Sequence, residues 1–162
     1  MAKFARKTFV FALALFFSAC FENKFEALNS NKMYEFSFDG FEKRLDFKQE
    51  QPFALVFFTK DCGVCKEQIV ILKELRKLHD FDFLTILGDA RDEKDALVWA
   101  NEKELDFTLF YERKASEFFS KIVGGIYGVP VIVFYNKEGF KTKEFIGLAP
   151  QNLLAKELIK LL

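Results

Sequence analysis

Two cysteines in this sequence, Cys62 and Cys65, are separated by two residues and directly follow an apolar run. The run Phe53–Phe58 has the length of a buried strand, and apolar residues recur behind the cysteines at helical three- and four-residue intervals. Cys62 is therefore expected at a helix N-terminus, where unpaired backbone N–H groups and the helix dipole favour a thiolate. Cys65 lies one turn further, within reach of a disulfide to Cys62. The pattern predicts a nucleophilic Cys62 and a resolving Cys65 that form a redox-active disulfide.

A cysteine pair with this spacing can also be half of a zinc site, which needs two further Cys or His ligands. The only other cysteine is Cys20, in the N-terminal segment, and the only histidine is His79. His79 falls at the far end of the expected helix, about 20 Å from Cys65 by helix rise. The order of strand, cysteine pair and helix favours redox chemistry, with no metal and no cofactor besides the disulfide.

The N-terminal residues have the pattern of an export signal. Three basic residues among the first seven precede the apolar run 9–17, which is far shorter than the ~20 residues of a membrane span. The sequence Phe-Ser-Ala-Cys at 17–20 resembles a bacterial lipobox, with Phe17 where Leu is usual. We expect residues 1–19 to be a lipoprotein signal peptide and acyl chains on Cys20 to anchor the domain to a membrane. The alternative is ordinary cleavage nearby, which leaves Cys20 as a free thiol.

Removal of the signal peptide changes the formal charge of the chain from zero to −3, because it takes away three basic side chains and no acidic one. The mature chain then has no basic excess, which argues against a nucleic-acid partner. Residues 20–32 are polar and lack periodicity, so we predict a short tether there and one folded domain over residues 33–162. Export places the cysteine pair where disulfides persist, so a reductive role needs an outside source of electrons.

The domain alternates between strand and helix patterns. An N-terminal β-hairpin is predicted from residues 33–38 and 43–48, which flank the turn pair Asp39–Gly40. Further strands are expected at residues 81–87, 105–111, 131–135 and 143–146, and helices at residues 62–80, 92–104, 116–123 and 150–162. The helix and strand between residues 92 and 111 form an insertion, in whose core Trp99 is expected.

Two motifs resemble a known family: Cys62–Gly63–Val64–Cys65, and Gly125–Ile126–Tyr127–Gly128–Val129–Pro130 followed by the apolar strand Val131–Tyr135. They are similar to motifs of the thioredoxin superfamily, and more closely of its TlpA/ResA/DsbE branch of membrane-tethered, extracytoplasmic thiol–disulfide reductases. The resemblance covers residues 33–162. It implies an α/β thioredoxin fold, with a central mixed β-sheet flanked by helices, an N-terminal β-hairpin and a central helix–strand insertion. It also implies a cis Pro130 that brings the backbone of Val129 beside the cysteines, where it can pair with an extended substrate.

The resemblance implies net reduction of protein disulfides on the periplasmic side of a bacterial membrane. Cys62 would attack a substrate disulfide, Cys65 would release the product, and a membrane electron donor of the DsbD/CcdA type would reduce the pair again. Protein thiols and disulfides are the expected substrates, with cytochrome c biogenesis as one setting. Two alternatives stay open: a DsbA-like disulfide oxidase, and a non-catalytic thioredoxin-like binding module or chaperone with a permanent disulfide.

The sequence departs from the family at three positions near the cysteines. Val56 stands where thioredoxin has a buried acid, and Gln68 stands where many TlpA-like proteins have Glu. Val131 directly follows the proline, where DsbE-type proteins have an acidic residue. These departures argue against a narrow assignment to cytochrome c maturation, and they leave proton transfer at Cys65 to water or to an acid from elsewhere.

The charged residues that flank the cysteines have opposing effects. Asp61 disfavours a thiolate on its neighbour, whereas Lys60 and Lys66 favour one. All three are expected to be exposed, so that solvent and salt screen their effects.

Overall fold

The computed structural model describes residues 22–48 and 51–162. The predicted signal peptide and Cys20 lie outside these residues. Within them, the elements in chain order are β1 (Glu22–Glu26), β2 (Met33–Asp39), β3 (Arg44–Phe47), β4 (Phe53–Phe58), α1 (Gly63–Leu78), β5 (Asp82–Leu87), α2 (Glu93–Glu102), β6 (Thr108–Phe110), α3 (Arg113–Val123), β7 (Val131–Tyr135), β8 (Lys141–Ile146) and α4 (Gln151–Leu161). None of the described helices is long and apolar enough to cross a membrane.

β4 lies at the centre of the larger sheet. All six of its residues are buried, as predicted for a continuous apolar run that is covered on both faces. It pairs in parallel with β5 and antiparallel with β7, which gives a mixed sheet with the strand order β6-β5-β4-β7-β8. Side chains from α1, α2 and α4 pack on one face of this sheet, and side chains from α3 and β1–β3 pack on the other. This architecture confirms the predicted fold class.

The prediction of a tether over residues 20–32 is wrong for its described part. β2 and β3 form the predicted hairpin, and β1 pairs antiparallel with β2 as a third strand of the same sheet. Phe25 and Ala27 are buried, and the ring of Phe25 packs against those of Phe36 and Phe119. Phe25 is the single apolar residue of β1, so the strand shows no alternating pattern. Backbone pairing and one buried ring stabilise it, which periodicity cannot detect.

The insertion between β5 and β7 has the predicted helix and strand. Asp92 is the N-cap of α2, and its carboxylate accepts a hydrogen bond from the backbone N–H of Asp95 at 2.8 Å. Trp99 is 4 % exposed and its ring packs against Phe58, which confirms the predicted core position. α3 begins at Arg113, three residues before the expected start.

The two ends of the central sheet have different neighbours. At the end where β4 leads to the cysteines, β7 begins after Pro130; we call this the cysteine end. At the opposite end lies the turn between β7 and β8, where the backbone N–H of Leu45 donates to the carbonyl of Gly139 at 2.9 Å. We call this the turn end. The first residues of β3 therefore lie at the turn end, away from the cysteines.

Candidate active site

Cys62 caps the N-terminus of α1. Its backbone is extended (φ −99°, ψ 104°), and its sulfur accepts a hydrogen bond from the backbone N–H of Cys65 at 3.1 Å. The two cysteines form a disulfide with their Cα atoms 5.2 Å apart. When the disulfide is reduced, this N–H and the helix dipole both favour negative charge on the Cys62 sulfur.

The two sulfur-bearing residues differ in accessibility. Cys65 is 1 % exposed and belongs to the core on the α1 side of the sheet, whereas Cys62 is half-buried. Val64, between them, is exposed. A partner molecule can therefore reach Cys62 but not Cys65.

The segment before β7 lies against the disulfide. The Val129–Pro130 peptide bond is cis, and the carbonyl oxygen of Val129 is 3.8 Å from the sulfur of Cys62. Within the described residues, the backbone N–H of Val129 has no hydrogen-bond partner. Pro130 is buried, and its carbonyl accepts from the N–H of Gly147 at 2.8 Å. The structure thus brings together four predicted site residues, Cys62, Cys65, Val129 and Pro130.

Gln68 links α1 to the loop between β8 and α4. Its side chain is fully buried, accepts from the N–H of Ala149 at 2.7 Å and donates to the carbonyl of Ala149 at 3.5 Å. Gly147, which holds Pro130, is two residues earlier in the same loop. Gln68 therefore connects the cysteine helix to the proline segment. The sequence signal for this role is a polar residue one turn after Cys65 on the apolar face of the helix.

Thr85 is a buried polar residue beside Val56, the position where thioredoxin has a buried acid. It pairs with Val56 across β4 and β5 and points to the same side of the sheet as the core that contains Cys65. It is fully buried, and its hydroxyl has no partner among the residues that the structure describes. Sequence reasoning did not single out this residue.

Lys60 is not the exposed charge that was expected. Its side chain is 22 % exposed, and its ammonium group lies 2.5 Å from a carboxylate oxygen of Asp95 on α2. Its backbone N–H donates to the carboxylate of Asp89 at 2.9 Å. The loop before the cysteines is therefore attached to the insertion, and the ammonium group of Lys60 is paired with Asp95. Asp61 and Lys66 are exposed as predicted.

Asp95 is the most strongly perturbed carboxyl group in the described chain. The backbone N–H of Arg91 donates to it at 2.9 Å, and the side chains of Lys60 and Arg91 donate to it as well. These bonds, in that order, hold the pKa of the Asp95 carboxyl far below its usual range. The carboxyl is therefore ionised at every physiological pH.

The comparisons with known proteins agree with this geometry. A family model described as a thioredoxin-like domain matches residues 44–162. The chain belongs to the thioredoxin-like domain family. No curated protein matches its sequence.

Solved structures with this thioredoxin-like fold cover a larger share of the chain than the family model does. A secreted Mycobacterium tuberculosis disulfide oxidoreductase homologous to E. coli DsbE is 19% identical, with a TM-score of 0.63 over 86% of this chain and 96% of that chain. StoA from Bacillus subtilis is 16% identical, with a TM-score of 0.63 over 83% and 94%. A thiol:disulfide interchange protein from Chlorobium tepidum is 12% identical, with a TM-score of 0.66 over 86% and 92%. At these identities the likeness shows the thioredoxin-like fold.

This thioredoxin-like chain thus has the fold of the thiol–disulfide oxidoreductases, with the Cys62–Cys65 disulfide at the start of α1. In the described residues, no three His, Cys, Asp or Glu side chains come together in a group that could hold a metal ion.

Proposed function

We propose that this protein is a thiol–disulfide oxidoreductase that reduces protein disulfides outside the cytoplasm while anchored to a membrane through Cys20. The observation that carries the redox assignment is the placement of the Cys62 sulfur. It caps a helix, accepts an N–H bond and is accessible, while its partner Cys65 is buried. Disulfide exchange needs this division between an attacking and a resolving sulfur.

The proposed reaction starts from the reduced pair. The Cys62 thiolate attacks one sulfur of a substrate disulfide, the substrate S–S bond breaks, and one substrate thiolate leaves and takes up a proton. Cys65 then loses its proton and attacks the Cys62 sulfur, so that the mixed disulfide breaks and the second substrate thiolate leaves. Two electrons pass to the substrate, and the Cys62–Cys65 disulfide remains. A membrane dithiol donor of the DsbD/CcdA type returns two electrons and two protons to the pair.

Val129 is proposed to hold the substrate backbone during the attack. Its N–H has no partner within the described chain, and its carbonyl lies beside the attacked sulfur, so both groups can pair with an extended segment. Two exposed apolar residues are next to this position: Val64 lies between the cysteines, and Ile146 pairs with Val131, the residue after Pro130. The site therefore suits an unfolded or extended apolar segment with a cysteine in it.

Trapping tests the reaction. Cys65→Ala in the full chain removes the resolving sulfur, so we expect mixed disulfides with the natural substrate to accumulate at Cys62 in the producing cells. Mass spectrometry of the captured proteins identifies them. Cys62→Ala is the matched control and should capture none. Equal capture by both variants contradicts the assigned roles.

The direction of the reaction is tested by equilibration with glutathione buffers. The reductase proposal predicts a reduction potential below that of the glutathione pair, whereas a DsbA-like oxidase has a potential well above it. A non-catalytic module predicts a pair that resists alkylation after mild reduction. Rapid labelling of Cys62 near neutral pH supports an enzyme.

A further inference from the structure

We propose that the domain rests directly on the bilayer through its turn end, with the cysteine end facing away from the membrane. This inference rests on the lipid anchor proposed for Cys20. The proposed contact is a surface that we call the docking face. It consists of Phe38, Phe41, Lys43, Phe118, Lys121 and Ile122.

The anchor is close to the folded domain because the expected tether is a strand. β1 begins at Glu22, two residues after Cys20 in the sequence. Two residues span at most about 7 Å, even when fully extended. Acyl chains on Cys20 therefore hold the start of β1 at the lipid headgroups. No long flexible linker separates the anchor from the domain.

Strand pairing determines which surface faces the bilayer. Glu22 pairs with Ser37, and β2 ends two residues later at Asp39. The chain therefore enters the domain next to the turn between β2 and β3, residues 40–43. β3 follows this turn, and its second residue, Leu45, bonds to Gly139 at the turn end.

The turn presents an aromatic ring to its surroundings. Phe41 is 97 % exposed at its tip. The conformation is fixed by Asp39, whose carboxylate accepts from the N–H groups of Phe41 at 2.8 Å and Glu42 at 3.0 Å. An apolar ring held out on an ordered turn suits insertion at the boundary between lipid headgroups and acyl chains.

Two lysines line a groove beside this turn. The groove, of about 590 Å³, is lined by Phe38, Lys43, Phe118, Lys121 and Ile122, together with Asn23 and Gly40. Neither Lys43 nor Lys121 forms an ion pair within the described chain, whereas Glu42 is paired with Arg44 at 3.4 Å. Unpaired lysines around apolar side chains fit a bilayer with anionic headgroups.

This arrangement leaves the active site open to soluble partners. The five residues of β7 separate Pro130 from the turn before β8, a distance of about 16 Å along the strand. Tyr127, which is 96 % exposed, is two residues before Val129, whose carbonyl oxygen is 3.8 Å from the sulfur of Cys62. Phe41 and Tyr127 are thus two equally exposed aromatic residues. The proposal places Phe41 in contact with the lipid and Tyr127 away from it.

The experiment compares these two positions in the full lipidated chain. Phe41→Trp and Tyr127→Trp variants are reconstituted into vesicles of phosphatidylcholine and phosphatidylglycerol, with or without bromine on the acyl chains. Bromine quenches tryptophan only at short range, and the buried Trp99 gives the same background in both. We expect brominated lipid to lower the Phe41→Trp emission about two-fold and to leave Tyr127→Trp unchanged.

A charge-reversal arm tests the headgroup contact. In the Phe41→Trp background, Lys43→Glu with Lys121→Glu should abolish most of the quenching by phosphatidylglycerol vesicles. Lys94→Glu with Lys114→Glu is the matched control, because both lysines are exposed, form no ion pair in the described chain and give the same change of net charge. The control pair should leave the quenching intact.

The acyl group on Cys20 is measured first, by the mass of the purified protein. If the protein carries the acyl group but both tryptophans are quenched equally, or Tyr127→Trp more, the docking proposal is wrong. The proposed anchor at Cys20 then still stands. A chain without the acyl group that also fails to bind vesicles overturns both the anchor and the docking. Neither result affects the redox assignment, which trapping at Cys62 tests separately.

Discussion

Gln68 offers the sharpest test of how the cysteine helix is joined to the proline segment. The Gln68→Met variant keeps the length of the side chain and removes both hydrogen bonds to Ala149. The bond from the Ala149 N–H, at 2.7 Å, is strong, whereas the bond to the Ala149 carbonyl, at 3.5 Å, is at the limit of a hydrogen bond. The loss leaves one buried N–H without a partner, which costs about 2 kcal/mol.

Urea unfolding of the oxidised protein measures this cost. We expect the free energy of unfolding to fall by about 2 kcal/mol and the thermal midpoint to fall by about 6 °C. Gln151→Met, at an exposed position at the start of α4, is the control and should change the free energy by less than about 0.5 kcal/mol. Equal stability of the Gln68→Met variant and the wild type would refute the assigned role.

Gln68→Glu adds a dependence on pH. Burial should raise the pKa of the new carboxyl above its unfolded value, because the charged form loses its hydration. The neutral acid can still accept from the Ala149 N–H and donate to the Ala149 carbonyl. Stability should therefore be close to that of the wild type below the unfolded pKa and should fall as the pH rises through the folded pKa. Unfolding curves between pH 4 and 8 check this, and a difference that does not vary with pH would contradict it.

Three further predictions concern the surroundings of the disulfide. Thr85→Val replaces an unpartnered buried hydroxyl by a methyl group, so the free energy of unfolding should rise by about 1 kcal/mol, and a clear loss would show that the hydroxyl has a partner. Asp95→Asn should destabilise the protein near neutral pH. Because the folded pKa of Asp95 is depressed, the difference from the wild type should shrink as the pH falls below 3.8, which urea unfolding at pH 7 and pH 3 would detect. In the reduced native protein iodoacetamide should modify Cys62 and spare Cys65, and equal labelling by peptide mass mapping would contradict the burial of Cys65.

Much of the central domain could be predicted from the sequence because its signals are local. The continuous apolar run of β4, the cysteine pair that opens α1 and the strand after Pro130 all lie where periodicity and motif spacing place them. The helix predicted from residue 92 is α2, which Asp92 caps. These elements specify their own conformation, and the resemblance implied the mixed sheet that the strands form.

The remaining features depend on contacts between distant residues. β1 has one buried ring and otherwise polar residues, so its pairing with β2 left no pattern to detect. Gln68 and Lys60 were interpreted as isolated neighbours of the cysteines. Their partners, Ala149 and Asp95, are 81 and 35 residues away in the chain, and only the fold brings them together.

The unequal burial of the two sulfurs also determines how the protein withstands oxidative damage. Peroxide reaches Cys62, converts its thiolate to a sulfenic acid and leaves Cys65 untouched. Cys65 then displaces water from that sulfur and forms the disulfide, before irreversible sulfinic acid can accumulate. A peroxide encounter therefore ends in the Cys62–Cys65 disulfide, the same oxidised state that the proposed reaction leaves.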